Sequence, residues 1–298
     1  MNIAIISSTK DKASTNIKEH LLNSFDFKLI EEKFDGNEVF QFIKNNDQES
    51  INNENNKKMK INNENLIKNK KNNEIKLYTI NTWLINREDL DKEIDADVFV
   101  FISKHTASDE KPSLTIHSIG NFGKAEHGGK EKTLCKTMPS FMKNIFNEIN
   151  KNNDGKYEVT MESTHHGPFL DKAALFVEIG SIEEQWKDKD AAGIIAKSVM
   201  DGLKEDKEYE SIFVVGGSHY NYIANKVMLK SDYAAGHICA KYNLETLDIE
   251  MIKQAMEKSN SKFVLLDWKG LGKEKKRIVE LLGKDKIEFK RSDKFFDK

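Results

Sequence analysis

Histidines that stand directly after apolar runs are the main chemical signal in this 298-residue sequence, which holds eight histidines in all. Three such placements occur, at His105, at the adjacent pair His165 and His166, and at His219. The runs before them are short and continuous, as is typical of strands buried on both faces of a parallel sheet. Because the carboxyl ends of parallel strands line one crevice, we expect these imidazoles to converge. Imidazole serves both as a metal ligand and as a general acid or base.

Two glutamates stand near these histidines in the sequence. Glu162 opens the stretch Glu-Ser-Thr-His-His-Gly-Pro at 162–168, where glycine and proline favour a turn that brings both histidines to one site. Glu178 lies inside the apolar run at 174–179, where an unpaired buried carboxylate is costly. We therefore expect Glu178 to hold a metal ion, a histidine or another cation. A structural ion pair between Glu178 and a lysine is the open alternative.

Two more histidines and a double glycine are candidates for the same site. His117 follows His105 at a spacing that fits a strand–loop–strand unit, and His237 stands beside a glycine. The stretch Gly-Gly-Ser at 216–218 follows an apolar run, and glycine there lets the backbone approach a ligand closely. Neither of the two cysteines has a Cys-x-x-Cys partner, so cysteine-based zinc and redox motifs are absent.

An α/β framework must position these residues, because the apolar runs alternate with helical patterns along the chain. The candidate strands are 3–7, 97–102, 157–162, 174–179, 211–215 and 262–266, and the candidate helices are 14–22, 140–149, 191–203, 246–256 and 273–282. We predict an α/β fold with a largely parallel, mixed central sheet and helices on both faces. Residues 1–298 are expected to form a single domain with an Asn/Lys-rich surface insertion at about 45–73.

Composition limits the function classes that remain. Apolar residues make up 38% and charged residues 32% of the chain, and the formal net charge of −2 excludes nucleic-acid binding by bulk charge alone. No apolar run approaches the roughly 20 residues of a membrane helix, and the first residues lack a signal-peptide pattern. Two cysteines suit a reducing compartment, so we predict a cytoplasmic protein. Segment 269–298 carries eleven basic against six acidic residues, which indicates either a phosphate-bearing partner or a solvated helix face.

Four segments together form a more specific pattern than any one of them alone. They are Ile-Ala-Ile-Ile-Ser-Ser-Thr-Lys-Asp-Lys-Ala-Ser at 3–14, Glu-Ser-Thr-His-His-Gly-Pro at 162–168, Gly-Gly-Ser-His-Tyr at 216–220 and Gly-His-Ile at 236–238. This pattern resembles the archaeal- and plant-type D-aminoacyl-tRNA deacylases over essentially the whole chain outside the 45–73 insertion. The resemblance implies a zinc-dependent esterase that removes D-amino acids mischarged on tRNA. It also implies a fold similar to phosphorylase and peptidyl-tRNA-hydrolase domains.

Hydrolysis of the ester between an amino acid and the terminal ribose calls for an activated water, which a zinc ion supplies. We expect one or two zinc ions per chain, with His165, His166 and either Glu162 or Glu178 as the first ligand set. The full set of expected metal ligands is His165, His166, Glu178, His117 and His237. The expected catalytic residues are His105, Glu162 and His219. Either His105 or His219 is expected to complete a second metal site or to protonate the ribose oxygen.

The residues expected to contact the substrate fall into three groups. They are Ser7, Ser8, Thr9 and Lys10 with Lys104 at the terminal phosphates, Gly167 and Pro168 as a wall that selects the D-amino acid, and Gly216, Gly217 and Ser218 close to the ligand. The predicted partner is D-aminoacyl-tRNA, with the lysine-rich C-terminal segment along the acceptor stem. We expect a monomer with no membrane association and no obligatory protein partner. A nucleoside phosphorylase-like enzyme, a peptidyl-tRNA hydrolase and a non-catalytic tRNA-binding protein are the open alternatives.

Overall fold

The structure of the protein is a computed structural model that describes residues 1–43 and 73–296. The predicted insertion at 45–73 lies outside the described residues except for Asn73. The strands are β1 (Asn2–Ser8), β2 (Phe27–Phe34), β3 (Asn37–Phe42), β4 (Glu74–Ile80), β5 (Val98–Lys104), β6 (Ser113–Ser118), β7 (Gly120–Asn121), β8 (Thr133–Leu134), β9 (Glu158–Met161), β10 (Ala173–Gly180), β11 (Glu210–Val215), β12 (Tyr233–Cys239), β13 (Ser261–Leu266) and β14 (Phe289–Arg291).

The helices are α1 (Lys12–Ser24), α2 (Leu90–Glu93), α3 (Pro139–Asn152), α4 (Glu183–Trp186), α5 (Lys189–Lys204), α6 (Tyr222–Lys230), α7 (Ile249–Lys258), α8 (Lys275–Lys284) and α9 (Ser292–Phe295). All five helices expected from the sequence are present, with shifted ends. Across the described residues, no helix combines the length and the apolar character that crossing a membrane requires.

Two large sheets organise the described residues, and β7 and β8 form a two-stranded sheet of their own. The larger has the strand order β2-β3-β4-β1-β5-β10-β6-β9, and its central strands β4, β1, β5 and β10 run parallel. Strand β6 runs antiparallel to β10, and β9 runs parallel to β6. The second sheet, β12-β11-β13-β14, is parallel throughout. The predicted α/β class with a mixed central sheet is confirmed, whereas the separate four-stranded sheet was not foreseen.

Apolar side chains fill both faces of the large sheet. Strands β5 and β10 are buried along almost their whole length, which explains their unbroken apolar runs. Helices α1, α3 and α5 cover one face, and residues 84–96 with α2 cover the other. The second sheet packs α7 and α8 against one face and α6 against the other.

Lys143 on α3 ties the two sheets together. Its ammonium is buried and donates hydrogen bonds to the carbonyl oxygens of Ser231 (2.5 Å) and Tyr233 (2.7 Å), with Val227 O at 3.4 Å. These carbonyls lie at the end of α6 and the start of β12. Burial lowers the pKa of Lys143 to about 8. The lysine therefore supplies donors to carbonyls that neither the helix nor the sheet would satisfy.

Candidate active site

A fully buried carboxylate lies at the centre of the histidines. Glu162, the residue after β9, is 0% exposed. Its Oε2 lies 2.8 Å from His219 Nε2 and 3.6 Å from His165 Nε2, and its Oε1 lies 3.1 Å from His105 Nδ1. The three strand-end histidine groups thus converge, as the sequence predicted.

The cause of this convergence differs from the one expected. Strand β9 runs opposite to β5 and β10, and β11 belongs to the second sheet, so the three strands share no common edge. Instead, the chain after β9 pairs with the turn after β11. Ser163 N–H donates to His219 O (2.8 Å), Asn221 N–H donates to Met161 O (2.9 Å), and Glu162 forms an antiparallel bridge with Tyr220. Backbone pairing between the two sheets therefore positions Glu162 against His219.

Glu178 links a second pair of histidines to this centre. It lies on β10, buried, with its Oε2 3.4 Å from His117 Nε2 and 3.6 Å from His105 Nδ1. Within residues 1–43 and 73–296 no lysine contacts it, so the lysine pair considered from the sequence does not form there. Burial opposes the ionisation of both glutamates, but the neighbouring histidines outweigh it and hold the pKa of Glu162 and of Glu178 below the usual range.

Three imidazoles lie close together, and each has its Nδ1 atom hydrogen-bonded to a backbone carbonyl. His117, His165 and His166 each hold Nδ1 on a backbone carbonyl oxygen, at 3.1, 2.9 and 2.6 Å respectively. A carbonyl only accepts, so Nδ1 carries the proton and Nε2 of the neutral ring is left with a free lone pair. Their ring centroids are 4.2 to 4.9 Å apart. This is the arrangement in which backbone carbonyls orient metal-binding histidines.

The electrostatics divide the histidines into two kinds. Burial lowers the pKa of His166 to about 4 and that of His165 well below its usual value, and the charge of His117 adds to both effects. Burial also acts against protonation of His105, but Glu178 and Glu162 outweigh it and raise its pKa to about 9. The pKa of His117 is likewise raised, by Glu178 against the effect of burial. Neutral ligand-type imidazoles thus lie beside a protonated His105.

The donor set fits a metal ion. In the part of the chain that the structure describes, three overlapping groups bring ligand atoms within 4.8 Å of one another: His117 with His165 and His166, Glu162 with His165 and His219, and His105 with Glu162 and Glu178. Two atoms of these groups, His117 Nε2 and Glu162 Oε1, are buried without a hydrogen-bond partner. Buried polar atoms seldom remain unsatisfied; a cation in the first group would satisfy His117 Nε2, and one in a group that contains Glu162 would satisfy its Oε1.

A cavity of about 490 Å³ opens beside these groups. It is lined by His105, Thr106, Ala107, Ser108, Asp109, Ser218, His219 and Tyr220. A larger cavity of about 620 Å³ lies elsewhere, and none of its lining residues is a histidine. The smaller cavity is therefore the one that chemistry favours, because it exposes His105 and His219 to a ligand.

Comparison with known proteins identifies the family of the chain. A family model described as D-aminoacyl-tRNA deacylase matches residues 92–290. The chain belongs to the D-aminoacyl-tRNA deacylase family. The D-aminoacyl-tRNA deacylase of Pyrococcus furiosus is 34% identical over 291 residues, covering 94% of this chain and 96% of that protein. That of Archaeoglobus fulgidus is 36% identical over 217 residues, or 70% of this chain and 78% of its own.

A solved structure shares the fold of this deacylase family member. The crystal structure of the conserved protein of unknown function AF0625 superposes with a TM-score of 0.80 at 29% identity. The superposition covers 99% of this chain and 96% of that one. The likeness therefore extends over both large sheets.

His237 is not brought into the metal-type groups. It is fully buried, its Nδ1 hydrogen-bonds Thr164 Oγ1 (3.1 Å), and its Nε2 donates to Cys135 O (3.0 Å). Burial lowers its pKa to about 4. Since both ring nitrogens are engaged, His237 braces the turn that carries His165 and has no lone pair free for a metal.

The end of β1 divides into two buried and two exposed residues. Ser7 Oγ donates to Tyr78 O (3.0 Å) and Ser8 Oγ donates to Thr82 O (2.6 Å), so both hydroxyls tie β1 to β4 and the loop after it. These two predicted phosphate contacts are therefore not available to a ligand. Thr9 and Lys10 are exposed.

Side chains of Asn221 and Asp267 fill the space beside the glycine turn after β11. Gly216 and Gly217 both have positive φ, and a Cβ at Gly217 would lie 2.9 Å from Asn221 Nδ2 and 3.1 Å from Asp267 Oδ2. Ser218 Oγ donates to Tyr220 O. The Asp267 carboxylate faces the turn at Gly217, whereas Ser218 lines the cavity beside His219, so the expected ligand contact stays a prediction.

Gly167 and Pro168 pack against a neighbouring glycine loop. A Cβ at Gly167 would lie 2.2 Å from Gly129 N, so only glycine fits there. The Glu88 carboxylate accepts hydrogen bonds from Gly129 N–H (2.8 Å) and Phe169 N–H (2.7 Å) and so holds the two segments together. No sequence pattern predicts that Glu88 joins these two segments.

Two tyrosines contact the site histidines but were not predicted from the sequence. Tyr220 OH hydrogen-bonds His105 Nε2 at 2.7 Å. Tyr242 OH lies 2.9 Å from Ser163 Oγ and 3.2 Å from His219 Nδ1. Tyr220 stands inside the Gly-Gly-Ser-His-Tyr segment, which was a usable signal, whereas Tyr242 had none.

Proposed function

We propose that this protein hydrolyses the ester that joins a D-amino acid to the 3'-terminal ribose of tRNA. The observation that carries the proposal is the buried Glu162 carboxylate, which touches three histidines and lies beside a cavity that exposes two of them. Relatives that share about a third of the sequence are named for the same activity.

We propose that His117, His165 and His166 hold a zinc ion through their Nε2 atoms, with Glu162 beside them. His105, Glu162 and Glu178 could hold a second ion only in place of the proton that His105 carries in the mechanism below. Zinc at these positions would acidify a water molecule and polarise the ester carbonyl. The lowered pKa values of His165 and His166, with backbone carbonyls fixing all three rings, support this assignment, and His117 would release its proton when the ion binds.

His219 is placed to act as a general base. Its Nε2–H donates to the Glu162 carboxylate at 2.8 Å, which fixes the tautomer and leaves Nδ1 to accept a proton. Tyr242 OH and Ser163 Oγ lie within 3.2 Å of that nitrogen and orient the ring. A water that attacks the carbonyl carbon would pass its proton to Nδ1, while Glu162 stabilises the imidazolium that forms.

His105 is placed to act as the general acid. Glu162 and Glu178 keep it protonated, and its Nε2–H points to Tyr220 OH at the cavity. When the ester C–O bond breaks, His105 would give that proton to the departing ribose oxygen. The wall formed by Gly167 and Pro168 remains our proposal for selecting the D-amino acid.

The test of this function compares three substrates on one preparation. Release of tyrosine from D-tyrosyl-tRNA is the expected result, with no cleavage of N-acetyl-L-tyrosyl-tRNA and no phosphate-dependent cleavage of nucleosides. His219→Gln should lower the D-ester rate at least about 100-fold by loss of the base. His20→Gln on α1, outside the site, is the matched control and should leave it unchanged. Cleavage of the N-acetyl substrate instead would establish a peptidyl-tRNA hydrolase and refute the proposal.

We also propose that the protein acts in the cytoplasm as a single-domain monomer without an obligatory partner. The shared apolar core beneath both sheets supports a single domain. One cooperative unfolding transition and a monomer mass in light scattering are the expected results. Two separated transitions or a dimer mass would contradict this proposal and leave the catalytic one untouched.

A further inference from the structure

A lysine at the sheet edge is flanked by two indole rings. The ammonium of Lys104, the last residue of β5, lies 4.4 Å from the ring centroid of Trp186 and 5.0 Å from that of Trp83. Trp83 is 46% exposed, whereas tryptophan side chains in folded proteins are usually mostly buried. We call these three residues the Trp–Lys platform. They lie at the edge where β1, β4, β5 and β10 all end.

Hydrogen bonds hold this platform beside the site. Trp186 Nε1–H donates to the carbonyl oxygen of His105 at 2.9 Å. The loop before Trp83 is fixed by Ser8 Oγ, which donates to Thr82 O. Lys104 N–H donates to the buried Asp11 carboxylate at 2.9 Å. The platform is therefore built from rigid parts and adjoins a residue that lines the cavity.

The charge of the platform is left uncompensated. Within the residues that the structure describes, no carboxylate forms an ion pair with Lys104, and Lys10 at the same edge also has none. The nearby Glu183 on α4 is already paired with Lys12 and Lys187. An ammonium held between aromatic faces is positioned to attract an external anion, because rings stabilise a cation without neutralising it.

Exposed aromatic faces and free cations together match single-stranded nucleic acid. Unpaired bases stack on aromatic side chains, and phosphates are drawn to lysine at the same time. We propose that the Trp–Lys platform binds the unpaired 3' end of tRNA, with a base stacked on Trp83 and a backbone phosphate at Lys104. Trp186 is a positioning residue that fixes the lysine. This inference rests on the proposed function, because the terminal ribose must reach His105.

Binding measured without hydrolysis tests the inference. The ligands are uncharged tRNA and the same tRNA without its last three nucleotides, each titrated by fluorescence anisotropy at fixed salt. Trp83→Ala should weaken binding of intact tRNA by about tenfold, in line with the loss of one stacked base. Trp83→Phe should restore most of the affinity. Binding of the truncated tRNA should not change in either variant.

A variant of Lys104 and a control variant outside the platform complete the test. Lys104→Gln should lower the slope of log affinity against log salt by about one for intact tRNA, as expected for one lost phosphate contact. Leu29→Ala on β2 removes a side chain that is 56% exposed at the outer edge of the large sheet and should change nothing. Unchanged binding of intact tRNA by both Trp83→Ala and Lys104→Gln would overturn the inference. So would equal weakening on the truncated tRNA, which would place the contact elsewhere.

Failure of this inference and failure of the proposed function give different results. If the wild type cleaves D-tyrosyl-tRNA and Trp83→Ala has an unchanged KM, only the platform is refuted. If intact tRNA binds through Trp83 but no ester is cleaved, only the proposed function is refuted. The expected result is a KM raised about tenfold in Trp83→Ala with kcat retained.

Discussion

Replacing Glu162 by glutamine is the sharpest perturbation of the site. The amide has nearly the same shape as the carboxylate, so the packing around this fully buried residue is kept. The negative charge between three imidazoles is lost. His219 then loses its charged acceptor, and His105 loses one of the two carboxylates that keep it protonated.

The size of the effect follows from these contacts. Hydrogen bonds to charged groups contribute about 1.5–3 kcal/mol each. Glu162 makes one hydrogen bond, at 2.8 Å to His219, and its other oxygen lies 3.1 Å from His105 Nδ1 without forming a hydrogen bond. Weakening the His219 hydrogen bond in the transition state costs about 1.5–3 kcal/mol, or a rate loss of roughly 10- to 100-fold, and the lost charge beside His105 adds to it.

Single-turnover hydrolysis of D-tyrosyl-tRNA with excess enzyme measures this loss directly, because the observed rate then does not depend on product release. Circular dichroism on the same sample checks that Glu162→Gln is folded. Glu32→Gln is the matched control, since that carboxylate also has two partners, Lys76 and Tyr78, but lies far along the sheet. A rate for Glu162→Gln within threefold of the wild type would refute the reasoning.

The other predictions concern the metal and the fold. Elemental analysis should find one or two zinc ions per chain, and dialysis against a chelator should lower the thermal midpoint until zinc is added back; zinc-free protein with full activity would contradict this. Lys143→Met should reduce the free energy of unfolding by about 3 kcal/mol in urea titration, since the carbonyl oxygens of Ser231 and Tyr233 lose a charged donor, whereas the exposed Lys197→Met should cost under about 0.5 kcal/mol. Gly167→Ala should cost about 1–3 kcal/mol by the backbone clash described above, and Gly123→Ala, which has open space, should cost little. In metal-free protein the raised pKa of His105 stabilises the fold below pH 6.5, and this contribution, at most about 3 kcal/mol, should be lost as the pH rises through 9. A free energy of unfolding with the same pH profile in wild type and His105→Gln would contradict that last prediction.

Local patterns predicted many of the helices and strands and the clustering of the histidines with two glutamates. Unbroken apolar runs identified β5, β10 and β11, because strands covered on both faces carry mostly apolar residues. Histidines after such runs, together with a glutamate inside one, identified the groups that meet at Glu162. A buried carboxylate needs a partner, and the structure gives Glu178 two histidines.

Pairing between distant segments was not predictable in the same way. Alternating and continuous apolar patterns do not specify which strands pair, so the separate four-stranded sheet and the reversed direction of β9 went unforeseen. His237 resembles a ligand in sequence, yet Thr164 and Cys135 occupy both its nitrogens. Trp83 and Glu88 gave no local signal, because their partners lie in other parts of the chain.

The most direct test of the central claim compares hydrolysis of D-tyrosyl-tRNA with that of L-tyrosyl-tRNA, each with and without a chelator. We expect rapid hydrolysis of the D-ester alone. The chelator should abolish this hydrolysis, and added zinc should restore it. Equal rates on both esters would contradict the proposed function. D-selective hydrolysis that survives complete removal of the metal would contradict the zinc site built on His117, His165 and His166.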